Sequence, residues 1–172
     1  LEFVREGFDL ERDEVAVFAS WDRFPYVASK EPGAIFCNSG YMAVVDTELT
    51  QRQHGRYDRV LEAAHRIDGY LRELWPRMQS TPQYRDKTSF VIATDHGPGS
   101  SDTDAWKKHG KVEGAEYVWV AIAGPDTPKL GELSNTGTVY EKDIAPTIAQ
   151  LLGSDFRKVA PDCGSPLPIA II

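Results

Sequence analysis

Short apolar runs and one long amphipathic stretch alternate along the chain, and their periods predict its elements. Residues 14–20 (EVAVFAS) are apolar, with β-branched and aromatic members, and predict a buried strand. Residues 21–30 read as a short helical or irregular segment interrupted by Pro25. Residues 34–37 predict a small strand, and residues 41–45 (YMAVV) a better one. Tyr57, Val60, Leu61, Ala64, Ile67, Leu71, Leu74 and Trp75 then recur at three- and four-residue spacing. That period predicts a helix over 55–78, with Arg59, Glu62, Arg66, Arg72 and Glu73 on its wet side. After a polar turn at 80–87 come a buried strand at 89–94 (SFVIAT) and a long Gly/Ser/Asp loop over 97–114. A further strand is predicted at 117–123 (YVWVAIA), closed by Gly124-Pro125. Residues 138–152 predict a helix carrying Ile144, Ile148, Leu151 and Leu152 and stopping at Gly153.

Apolar strands alternating with amphipathic helices predict an α/β fold: a mainly parallel sheet with helices on both faces, in a single domain over residues 1–172. Hydrophobic residues at 41% and charged residues at 26% are globular proportions, in a length that can bury a core. A formal charge of -7 without a basic cluster argues against nucleic acid or an anionic membrane surface as the main partner. A small anionic substrate would need a local positive charge, such as a metal ion, to overcome that field. No apolar run approaches the roughly 20 residues needed to span a bilayer. Cys37 and Cys163 lack CxxC spacing and read as separate buried thiols, with a disulfide left open.

In α/β sheets ligands bind beyond the carboxyl ends of the strands. Asp95 and His96 follow the strand at 89–94, and Asp46 and Glu48 follow the strand at 41–45. If the chain stays extended past Val45, residues two apart face one side, so both carboxylates would face one pocket. His54 stands just before the long helix, and His109 lies in Lys107-Lys108-His109-Gly110. Carboxylates with imidazoles suit zinc, manganese or iron better than calcium or magnesium. Adjacent Asp95 and His96 are expected to diverge, each serving one ion or bridging toward a second. Two ions about 3.5–4 Å apart would clamp the oxygens of a phosphoryl or sulfuryl group. Each residue also has a plainer reading: Asp-His-Gly as a turn or cap, His109 as a solvated residue, Asp46 and Glu48 as caps or surface charges. His65, in the middle of the long helix, reads as structural.

Taken in order, the stretches SFVIATDHG, KKHG, YVWVAIAGP and VYEKDIAPTIAQLLG resemble the C-terminal half of the alkaline phosphatase superfamily. That group includes sulfatases, nucleotide pyrophosphatase/phosphodiesterases and cofactor-independent phosphoglycerate mutases. The resemblance covers residues 13–153, more weakly over 15–40. Its recurrent helix, which packs behind the site in the family, corresponds here to Asp143, Ile144, Pro146, Thr147, Ile148, Leu151, Leu152 and Gly153. It implies that Asp95 and His96 hold one metal ion and His109 the other, with His54 joining the second site. The family places an Asp four residues before that His; here the position is Thr50, so Glu48 or Asp46 would have to substitute.

The family's nucleophile is a Ser, Thr or modified Cys beside a metal-binding Asp near the N-terminus, and residues 1–12 (LEFVREGFDLER) do not resemble that element. The nucleophile is therefore expected upstream of Leu1, in a longer domain of which this chain is the C-terminal part. The implied activity is metal-dependent hydrolysis of small anionic phosphate or sulfate esters with one or two divalent ions, zinc or manganese. An activated Ser or Thr attacks phosphorus or sulfur, a covalent ester forms, and water hydrolyses it. Transfer to a second hydroxyl instead would make the enzyme a mutase. An extracytoplasmic location is the family's habit. Thr50 and the absent nucleophile motif also fit a non-catalytic member that binds a metal or a partner, and solvated turns alone would fit a structural domain.

Overall fold

Val15 and Val17 point inward from the first apolar run while Ala16 and Phe18 point out, so this stretch is a half-buried strand. The computed structural model describes residues 1–19, 23–39, 57–97, 99, 111–133 and 137–168. The chain groups into two units, Leu1–Glu48 and Leu49–Ile172.

In the first unit, helix α1 (Glu2–Gly7) has Glu2 in its first turn and Arg5 in its last, matching the helix dipole. The Leu1 nitrogen donates to the Ala28 carbonyl at 2.9 Å, and the Glu2 carboxylate accepts the Lys30 N–H at 2.6 Å. These bonds tie α1 to the end of α2 (Phe24–Ala28). Pro25 sits in the first turn of α2, where its missing N–H has no intrahelical partner to lose and its fixed φ suits the helix. It therefore starts this helix rather than interrupting it.

Strands β1 (Ala16–Ala19) and β2 (Phe36–Ser39) pair in parallel, Ala16 opposite Phe36 and Ala19 opposite Ser39. Val15, Val17, Ala28 and Ile35 form the small core of this unit, with Val4, Leu10, Ala19 and Cys37 packed around it. On the outer face Phe18 meets Phe36 at 5.8 Å between ring centroids.

The second unit begins with α3 (Tyr57–Ser80), whose 24 residues confirm the helical period. Glu62, Arg66, Arg72 and Glu73 are exposed as expected, and Arg72 bonds Asp68 one turn back at 2.6 Å. The predicted apolar stripe is largely uncovered: Leu61, Ala64, Ile67 and Leu74 are exposed and Val60 and Leu71 half-buried, while Ala63, outside that stripe, is fully buried. Trp75 packs on Phe90 at 5.4 Å between centroids, joining α3 to the sheet.

Strands β3 (Phe90–Ala93) and β4 (Val120–Ala123) pair antiparallel, Phe90 opposite Ala123 and Ala93 opposite Val120. The protein is thus mixed α/β, with one parallel and one antiparallel pair among the described residues. No mainly parallel sheet with helices on both faces is formed by those residues. The physical reason is that an apolar run specifies burial but not direction, and β3 and β4 are joined without an intervening helix among the described residues. The expected strand at 41–45 lies outside the described residues.

The C-terminal helix is shorter than its apolar pattern predicts: a 3-10 turn at Glu141–Asp143 leads into α4 (Ile144–Leu151). Tyr140 is extended, so the chain enters the helix only there, and Pro146 falls in the first turn, where it is tolerated. Pro146, Thr147 and Ala149 form the buried face, while Ile148 is half-buried and Leu152 exposed. At the far end Gly153 has φ 73°, the Gly153 N–H donates to the Gln150 carbonyl and the Ser154 N–H to the Ala149 carbonyl. That pair of bonds is the Schellman stop, which needs the left-handed backbone that glycine adopts without strain. Cys37 and Cys163 are half-buried thiols.

Candidate metal centre

Pairing between the β3 and β4 segments continues past Ala93, because the Thr94 N–H reaches the Trp119 carbonyl at 3.4 Å. The next link joins the Gly97 N–H to the Ala115 carbonyl at 2.8 Å. Three steps on one side, 94 to 97, thus face four on the other, 119 to 115. One extra residue on the returning segment bends the ladder where Asp95 and His96 sit.

Gly97 is buried. A Cβ there would run into the Tyr117 carbonyl oxygen and lie 2.9 Å from that of Gly114. The glycine of Asp-His-Gly is therefore required by the close approach of two backbones. The opposite wall is tightened by the Glu116 carboxylate, which accepts the Gly114 N–H at 2.8 Å.

Asp95 and His96 converge, which corrects the expectation that neighbouring side chains diverge. Asp95 Oδ1 accepts the backbone N–H of His96 at 3.0 Å, folding the carboxylate over the next residue. The other oxygen, Oδ2, then lies 3.6 Å from His96 Nε2. His96 Nδ1 is 3.1 Å from the Gly97 carbonyl oxygen. With Nδ1 as the N–H donor to that carbonyl, the lone pair sits on Nε2, on the side of the carboxylate. Exposure is graded across the pair, 84% for the Asp95 side chain and 23% for His96. The imidazole is anchored and the carboxylate reaches into solvent.

Two ligand atoms bound to tetrahedral zinc at about 2.0–2.1 Å lie roughly 3.3 Å apart. The observed 3.6 Å is a few tenths from that spacing, so Asp95 and His96 fit two positions of one site. The Nδ1 contact to Gly97 is the kind of outer bond that orients a ligating histidine.

His109, His54, Glu48 and Asp46 lie outside the described residues. Among the described residues no group of three or more His, Cys, Asp and Glu side chains is close enough to hold a metal ion. His65 is an exposed surface residue of α3, not a packed structural one.

Gly97 escaped the sequence reading as a positioning residue, although its place directly after Asp-His was the signal. The strand predicted at 117–123 also differs from expectation: Tyr117 and Trp119 are 76% and 56% exposed beside the Asp95–His96 bend. Comparison of the chain with protein-family models, curated proteins and solved structures finds no match.

Proposed function

We propose that this chain is part of a metal-dependent hydrolase of phosphate or sulfate esters of the alkaline phosphatase superfamily type, with Asp95 and His96 together holding one divalent ion, zinc or manganese. The observation that carries the reading is the convergence of Asp95 Oδ2 and His96 Nε2 at 3.6 Å, with Nδ1 set against the Gly97 carbonyl. It is supported by the ordered Asp-His-Gly, His-Gly and Asp-Ile-x-Pro-Thr stretches in the sequence.

Each residue then has a task. The Asp95 carboxylate supplies negative charge and an exposed ligand oxygen; His96 supplies an oriented neutral nitrogen; Gly97 keeps the ring in place. A bound ion would supply Lewis acidity and the positive charge that an anionic ester needs in a protein of net charge -7. His109 would serve a second ion, with His54 and either Glu48 or Asp46. The nucleophile would come from residues preceding Leu1, and a mainly parallel sheet flanked by helices, in an extracytoplasmic protein, belongs to the same proposal.

Thr50, standing where the family has an aspartate, favours a second reading: a non-catalytic member that keeps one ion or binds a partner. Elemental analysis after zinc or manganese loading, combined with turnover of chromogenic phosphate and sulfate esters by the full-length protein, separates the two. The hydrolase is expected to bind two ions and turn over an ester; one ion without turnover selects the second reading. Unchanged metal content in Asp95→Asn and His96→Ala would overturn both.

A further inference from the structure

We draw no further inference here: the strongest candidate, the largely apolar cavity of about 770 Å³ bounded by Trp75, β4, Leu130, Ile144 and Leu167, is an unpartnered apolar surface, and nothing in the structure shows what covers it.

Discussion

Asp143 and Asp95 both accept a backbone N–H, yet their surroundings give them opposite uses. The Asp143 carboxylate accepts the Tyr140 N–H at 2.8 Å from a buried position, and a Cβ on Gly164 would collide with it. Its own carbonyl accepts the Thr147 hydroxyl at 2.6 Å, and that hydroxyl accepts the Leu167 N–H at 2.8 Å. Asp143 is thereby consumed in closing a helix start against the C-terminal segment. Among the described residues Asp95 accepts a single N–H, from its neighbour, and turns its other oxygen toward an imidazole at the solvent edge. A carboxylate enclosed by backbone is structural; one held by a single bond beside an oriented histidine can take a cation.

The sharpest way to break this contrast is to exchange its readouts. Asp95→Asn and His96→Ala are expected to abolish binding of one zinc ion, read by equilibrium dialysis with elemental analysis. The stability of metal-free Asp95→Asn should stay within about 0.5 kcal/mol of the parent, as for other surface changes, and that of metal-free His96→Ala should fall by about 1 kcal/mol as the half-buried ring and its contact to Gly97 are lost. Chelation should lower the melting temperature of the zinc-loaded parent by more than that of either variant, which lacks the ion at Asp95 and His96. A metal-free loss much larger than this in either variant would make the bend a structural device like Asp143.

Gly97→Ala tests whether the two kinds of role are coupled where Gly97 meets the 114–117 backbone. The added methyl forces the 97 and 114–117 backbones apart and is expected to cost about 1–3 kcal/mol in denaturant melts. Through the displaced His96 ring it should also weaken zinc binding by roughly 10–100-fold. Stability lost with zinc affinity intact would show that the Gly97 carbonyl does not orient the histidine.

Thr147→Val belongs wholly to the other side of the contrast. It leaves the Leu167 N–H without its acceptor and is expected to cost about 1–3 kcal/mol of stability with metal content unchanged. Ile148→Ala, on the half-buried side of α4, is expected to cost less than the ~2–5 kcal/mol of a fully buried isoleucine, because less of its surface leaves water. A loss in the full range would place Ile148 among the core residues.

The smallest effect concerns acid. The Arg157 side chain bonds both Asp155 oxygens, Nε at 2.9 Å and the terminal nitrogen at 3.0 Å, and the Arg157 N–H adds a backbone bond. Together they hold the Asp155 carboxyl below its ordinary value of 3.8. A lowered folded value means the contribution is present above the unfolded value and lost as pH falls through the folded one. Because both side chains reach solvent, salt should mute it. Asp155→Asn is expected to remove a small acid-side decline in stability between about pH 5 and pH 2, measured by melts at low ionic strength. An unchanged decline would assign it to other carboxylates.

Much of this was legible before any coordinates. The three- and four-residue spacing from Tyr57 to Trp75 named α3, and Gly153 named the end of α4. Asp-His-Gly after an apolar run named the bend at Asp95. Less legible was which face each stretch buries: the predicted stripe of α3 stays mostly exposed while Ala63 beside it is buried, and α4 buries Pro146, Thr147 and Ala149 more completely than Ile148. Periodicity registers a face of similar residues, whereas burial depends on what that face meets.

By itself, then, the chain's order of residues determined its local elements and the residue types at the candidate site. Helix period, glycine backbone freedom and proline's missing N–H act within a few residues and need no distant partner. Tertiary structure alone decided that β4 runs against β3 and that Gly97 is pressed to the 114–117 backbone. Those outcomes depend on hydrogen bonds between segments far apart in the chain, whose direction and register no local pattern encodes.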